Sequence, residues 1–194
     1  MKATKSRTGD PIKPKKVMAL DQNDRIIYVD DPELGHSEEG DTLSYVTSAS
    51  ERIMRQLMAE SGGNAKAVSP AGARGAWQIM PATQKDLEDR GFIPTGLDPF
   101  NPLDSRLMRD AKIEALSNLS FIKNPPQPIP EVNRLARIYA SYNAGEGRVR
   151  SILEKAKSEG VDIYGDPRAW MEYLPEETQG YLQKILFDDS QEGE

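Results

Sequence analysis

Over 45–187 apolar residues recur at helical spacing, the runs break at glycine and proline, and no two stretches alternate as paired strands would. A chain patterned this way buries its apolar stripes only by packing helix on helix. The expected fold is all-α, mainly helical. At 194 residues it is long enough for one domain with a sizeable core and short for two. The expected organisation is an extended N-terminal segment over 1–40, one helical domain over 41–187 and an acidic tail over 188–194. The first segment is rich in Pro, Gly, Asp and Lys and reads as a flexible extension, with one short strand over 25–29.

The first helix of the domain is expected to end at Glu60. At about 100° per residue, Val46, Ile53, Leu57 and Glu60 share one narrow sector, so this carboxylate sits on the apolar stripe. Burial disfavours the charged form, and a Glu held protonated near neutrality is a general acid. The plainer reading is a helix-end Glu that turns out to water at Ser61-Gly62-Gly63. Further helices are expected over 81–90, opened by Pro81, and after Asn101-Pro102, where Leu103, Leu107, Ala111, Leu116 and Leu119 form the apolar series. Four prolines over 124–130 make a stiff loop. In the helix beginning near Glu131, Val132, Leu135, Tyr139 and Tyr142 share a stripe that Gly145 terminates. Another helix covers 148–158, and the last follows Pro175, with Glu177, Tyr181 and Ile185 spaced i, i+4, i+8.

Charge and composition exclude several functions. Residues 1–16 carry a net charge of +5 and the remainder −11, a basic leader before an acidic body. With Gly9, Pro11 and Pro14 interspersed the leader reads as solvated, and an acidic body of pI near 5.0 argues against nucleic-acid binding. The chain has no cysteine, which removes thiolate metal sites and cysteine nucleophiles. His36 is the single histidine, in an acidic, glycine-containing stretch, and reads as a loop residue rather than a triad member or ligand. No cofactor and no metal are expected. No apolar run reaches the roughly 18 residues of a transmembrane segment, and no signal-peptide core follows the N-terminal charges.

The segment ESGGNAKAVSPAGARGAWQIMPAT, 60–83, resembles the soluble lytic transglycosylase family, related in fold to goose-type lysozyme. Its Glu-Ser pair, Ser-Pro-x-Gly-Ala, Gly-x-x-Gln and Met-Pro-x-Thr stand in the family's order and spacing. SYNAGEGRV, 141–149, is similar to the family's Tyr-Asn-x-Gly motif, and LPEETQGYLQKIL, 174–186, to its Pro-x-x-Glu-Thr-x-x-Tyr motif. Two departures stand out. Ala76-Trp77 replaces the more usual Leu-Met, and Gly62-Gly63 makes a less bulky turn after Glu60. Trp77 reads as core packing rather than a sugar-stacking platform.

The resemblance implies a lysozyme-like domain that cuts peptidoglycan glycan strands between N-acetylmuramic acid and N-acetylglucosamine and closes a 1,6-anhydro ring on the muramic product. Glu60 is the implied catalytic acid and base. Ser69 and Gln78 are implied hydrogen-bond partners of the sugar, Tyr142 a hydroxyl near Glu60, and Glu177 a second acid in the groove. Asn143 belongs with these substrate-binding residues, its plain alternative being closure of the helix end. Ile79 and Met80 are expected as apolar packing at the base of the site. Two alternatives stay open: a goose-type lysozyme-like muramidase, and a non-catalytic glycan-binding component of a virion or secretion apparatus. Without a signal peptide, the expected setting is a phage virion or delivery to the periplasm, with virion or secretion-machinery proteins as partners. A periplasmic bacterial enzyme is the alternative.

Overall fold

A computed structural model describes residues 15–20, 26–31, 45, 46 and 48–187. His36, the charges before Lys15 and the acidic end over 188–194 lie outside them.

Ahead of the helical domain, β1 (Lys15–Leu20) and β2 (Ile26–Asp31) pair antiparallel, with Val17 opposite Val29 and Leu20 opposite Ile26. The strand expected over 25–29 is thus present as β2. It has a partner in a stretch read from composition as leader. A lone strand leaves its backbone donors and acceptors unpaired, and the Val17–Leu20 run supplies the second edge.

The helices are α1 (Ala49–Ser61), α2 (Pro81–Asp89), α3 (Pro102–Ser117), α4 (Ser120–Lys123), α5 (Glu131–Ala144), α6 (Glu146–Ser158), α7 (Arg168–Met171) and α8 (Glu176–Leu186). Local sequence sets most of their ends. Ser48 caps α1 by accepting from the Glu51 N–H, and Gly62, at φ 63°, closes it by donating its N–H to the Met58 carbonyl. Asn101 accepts from the Leu103 and Asp104 N–H groups ahead of Pro102 at the start of α3. Val46 falls outside α1. It is buried ahead of the Ser48 cap, with its N–H on the Leu186 carbonyl at 2.7 Å.

Two apolar cores meet on α5. One gathers Val132, Leu135 and Ala136 of α5 with Leu153, Trp170, Leu182 and Ile185. The other gathers Leu57, Trp77, Ile79, Leu87 and Met108 around Ile138 and Tyr142. The helix is therefore buried nearly all round, including the polar side chains of Asn133, Arg137 and Ser141. Carbonyls satisfy two of the three: Asn133 Nδ2 donates to Ile163 and Gly165, and Arg137 Nη2 to Ile163 at 2.7 Å.

α3 is rotated from its expected face. Leu103 and Leu107 are exposed, and Ser105, Met108, Arg109, Ala111, Ala115 and Leu116 face inward. The inward face follows what the helix packs against. Here that is the close backbone approach at Gly75 and the buried polar group of Gln56, both of which need the Ser105–Arg109 side.

Residues 64–80 form a compact loop held by reciprocal backbone bonds between Arg74 and Ile79 and by Gly75 N–H to the Ala67 carbonyl at 2.9 Å. Gly75 has φ 73°, and a β-carbon there would overlap the Pro99 carbonyl. Gly62 also has positive φ but faces open space. Gly75→Ala should therefore cost roughly 2–4 kcal/mol in urea unfolding, and Gly62→Ala only about 1 kcal/mol of backbone strain. Equal costs would mean that the approach of Pro99 does not set the requirement for glycine.

Candidate active site

Glu60 is the last but one residue of α1, on the same turn as buried Leu57 and within reach of α3, α5 and α8. Its carboxyl is partly buried, and Oε1 accepts from the Tyr181 hydroxyl of α8 at 2.6 Å. The same tyrosine oxygen accepts from Gln56 Nε2 at 3.0 Å. Gln56 Oε1 in turn accepts from Arg109, whose Nε lies 2.8 Å away. Arg109 is anchored beyond by Asp110 at 2.9 Å.

This chain has one direction. A guanidinium only donates, so the oxygen of Gln56 must face Arg109 and its amide nitrogen must face Tyr181. The tyrosine oxygen is then the acceptor from Gln56, and its hydrogen goes to Glu60. Burial and the Glu60 charge hold the Tyr181 phenol well above its ordinary pKa, so it stays a donor.

Electrostatics at Glu60 are a contest. Desolvation pushes its pKa up to about 7; the hydrogen bond from Tyr181 and the charges of Lys112 and Arg109 oppose it. Burial wins. Lys112, on α3, donates to the Tyr142 carbonyl at 3.0 Å and stands 3.6 Å from the centroid of that ring. Its own burial pushes it down to about 8, opposed by the Glu60 charge. The groups that act most on Glu60 are Tyr181, Lys112, Gln56 and Arg109, none of them a carboxylate.

The loop over 64–80 is fastened beneath this acid at two points. The Ser61 hydroxyl donates to the Ala76 carbonyl at 2.8 Å, which gives the second member of the Glu-Ser pair a structural job. The Tyr142 hydroxyl donates to the Trp77 carbonyl at 2.9 Å. Trp77 itself is wholly buried, with Arg106 and Arg109 against its ring at 5.8 and 5.5 Å, so it packs as core and offers no face to a sugar.

The other residues singled out from the sequence fall in different places. Tyr142 is near Glu60, but the hydroxyl on the carboxylate belongs to Tyr181. Ser69 shapes a turn, its Oγ accepting from the Ala73 N–H at 3.0 Å. Gln78 is the one non-glycine at positive φ among the described residues, 48°, and its Nε2 donates to the Gly75 carbonyl at 2.9 Å. Asn143 accepts from the Thr178 hydroxyl at 2.7 Å and lines a cleft of about 540 Å³ with Lys112, Tyr142 and the exposed Met80. Ile79 is buried core. Glu177 is exposed at the start of α8 with no described bond to the site. No group of three or more His, Asp or Glu among the described residues is placed to hold a metal ion, and no described helix is long and apolar enough to cross a membrane.

Gln56, Arg109, Lys112 and Tyr181 did not stand out as site residues. The first three are polar residues on helices, and nothing in their spacing marks them. Tyr181 had a signal, since it is the tyrosine of the 174–186 motif and shares a stripe with Ile185.

Comparison with known proteins agrees with this geometry. The family model described as the transglycosylase SLT domain matches residues 47–164. Among curated relatives, the soluble lytic murein transglycosylase of Escherichia coli K12 is 32% identical over 168 residues, 80% of this chain and 24% of the relative. The membrane-bound lytic murein transglycosylase D of the same strain is 29% identical over 137 residues, 66% of this chain and 25% of the relative. This chain thus spans about a quarter of the length of those relatives. Among solved structures, the 70 kDa soluble lytic transglycosylase of Escherichia coli aligns with TM-score 0.54 at 27% identity, covering 71% of this chain and 20% of that one. An inactive variant of the lytic transglycosylase Slt of Pseudomonas aeruginosa shares the fold, with TM-score 0.53 at 24% identity over 70% of this chain and 20% of its own. With motif order, helical architecture and a family match over more than half its length, the chain belongs to the transglycosylase SLT domain family.

Proposed function

We propose that the chain is a peptidoglycan lytic transglycosylase, cleaving the bond from N-acetylmuramic acid to N-acetylglucosamine with intramolecular formation of 1,6-anhydromuramic acid. The observation that carries this reading is Glu60: a single carboxyl whose pKa lies at about 7, hydrogen-bonded on Oε1 by Tyr181 and flanked by cations. A group with that value is substantially protonated near neutrality and holds a proton loosely enough to give it up and take one back.

Tyr181 occupies Oε1, so Oε2 is the oxygen on which the transferable proton sits. That proton passes to the glycosidic oxygen as the bond to the muramic C1 breaks, and the N-acetylglucosamine leaves with a free 4-hydroxyl. Glu60 is now an anion beside Lys112 and Arg109, which stabilise it at the moment it has no proton. As a base it takes the proton of the muramic 6-hydroxyl, O6 bonds to C1, and no water is consumed. The alternative of a lysozyme-like hydrolase with Glu177 as second carboxylate has less support, since Glu177 is exposed and makes no described contact with Glu60. Ser69, Gln78 and Asn143 are proposed to meet the sugar, with Gln78 held for it in an unfavourable backbone conformation. The working place is the peptidoglycan layer, reached from a virion or secretion apparatus or by export to the periplasm. Presence in purified virions supports the first route, and a processed periplasmic product the second.

Mass spectrometry of fragments released from purified peptidoglycan tests the reaction. Wild type should yield 1,6-anhydro ends and Glu60→Gln none; reducing ends from wild type would establish the hydrolase instead. The pH profile tests the electrostatics. kcat/KM should fall as pH rises through about 7, because the acid form starts the reaction. Lys112→Met removes a charge that lowers the Glu60 pKa, so it should move this limb to higher pH while kcat drops about tenfold or more. An unmoved limb would show that Lys112 does not act on Glu60.

Stability should carry the same signature. Between 4.5 and about 7 the folded chain keeps on Glu60 a proton that the unfolded chain has released, so its contribution is full below 4.5 and lost as pH rises through about 7. Glu60→Gln should thus match wild type near pH 4 and exceed it at pH 8 by up to about 3 kcal/mol in urea unfolding. A pH-independent difference would mean that Glu60 titrates at its ordinary value.

A further inference from the structure

A second cavity, of about 420 Å³, lies between α4, α5, α6 and the loop over 161–165. It shares no lining residue with the cleft at Lys112 and Asn143. Arg137 lines it, five residues before Tyr142 on α5 and so about 140° around the helix from the face that carries Tyr142. The volume is at the lower end of the roughly 300–1,000 Å³ typical of small-ligand sites.

No acid among the described residues balances the charge of Arg137. Arg137 is 2% exposed, and its partners are the Asn133 side chain, the carbonyls of Phe121 and Ile163 and, at 5.9 Å to the centroid, the Tyr164 ring. None is an acid, and three described bonds leave two of the five N–H groups of a guanidinium over. A buried cation without an anion is costly, and desolvation pulls this one down from its ordinary pKa. Two more cations line the cavity: Arg150 lies against Phe121, 5.4 Å to the ring centroid, and Lys157 against Tyr164 at 5.7 Å.

One acid, Glu154, also lines it, at i+4 from Arg150 and i−3 from Lys157 on α6. These are the spacings at which helical ion pairs close. Such pairs are closed on other helices, Arg55 with Glu51, Lys85 with Asp89 and Arg106 with Asp110, each at 2.8 Å. Neither pair is closed on Glu154, and both cations lie against the aromatic rings instead.

We propose that this cavity binds the terminal carboxylate of a short peptide. The carboxylate sits among Arg137, Arg150 and Lys157, in a planar fork geometry that suits guanidinium. Phe121, Tyr164 and Leu153 cover the apolar body of the terminal residue, which a bare inorganic anion would leave unused. Glu154 accepts a backbone N–H of the peptide and repels a dianion, which favours a carboxylate over phosphate. Nothing in this depends on Glu60 or on glycan cleavage.

Titration of the ¹⁵N-labelled full chain followed by NMR tests the site, with N-acetyl-Ala-Ala and its C-terminal amide as probes, in D,D and L,L forms. The acid should give saturable shifts at Phe121, Arg150 and Tyr164, and the amide should bind at least about tenfold more weakly. Arg150 and Lys157 are exposed, so the R150M/K157M double variant should fold and lose at least about tenfold in affinity. Glu60→Gln should bind as wild type does. Tighter binding of the D,D acid names a cell-wall peptide as the source, and of the L,L acid a protein tail. Equal binding of acid and amide, absence of saturable shifts, or displacement by inorganic phosphate at equal concentration would overturn the assignment.

Discussion

Tyr181 donating to Glu60 is the contact on which the rest of the arrangement depends. A carboxyl sunk among Leu57 and its neighbours has no reason to hold one orientation unless something fixes an oxygen. The fixing reaches through Gln56 to Arg109, so that α1, α3 and α8 are tied at one buried point. Only a donor-only group at the far end makes that tie directional. A lysine could donate at that position, but a guanidinium presents Nε and Nη2 together to one oxygen and so also fixes the plane of the Gln56 amide.

The same burial that orients the acid sets its chemistry. Desolvation alone would carry the Glu60 pKa beyond about 7, and the hydrogen bond from Tyr181 together with the cations holds it there. Lys112 is affected in the opposite sense, brought down to about 8, so the pKa values of acid and base are drawn towards each other. Little separates the neutral from the charged arrangement of the two. A proton can leave Glu60 and return without either state being strongly disfavoured, which suits a reaction in which one carboxyl serves as acid and then as base.

Much of this architecture is legible in the sequence because it is written locally. Asn101-Pro102 is both cap and first turn, Gly62 closes α1, and Pro81 opens α2. Glu60 was visible for a similar reason, as a carboxylate on an apolar stripe. What escaped reading is whatever depends on a distant partner. Leu103 and Leu107 form an apolar series that ends up in water, since α3 turns to meet Gly75 and Gln56. Arg109 and Lys112 look like ordinary charges on a helix until α1 and α5 are placed beside them. Of two tyrosines in motifs, periodicity gave no means of telling which hydroxyl meets the acid, because both lie on buried stripes.

Glu60 and Glu177 show how little residue type decides. Both stand at helix ends, Glu60 in the last turn of α1 and Glu177 in the first of α8. At the first turn the backbone N–H groups and the helix dipole welcome an anion, and water does the rest. At the last turn the dipole is adverse to an anion and the side chain is desolvated, and both effects favour the neutral acid against the opposing hydrogen bond from Tyr181. The position that is worse for a charge is therefore the better one for a proton donor. The cations around Glu60 then restore enough stability to its ionised form for the proton to be given away.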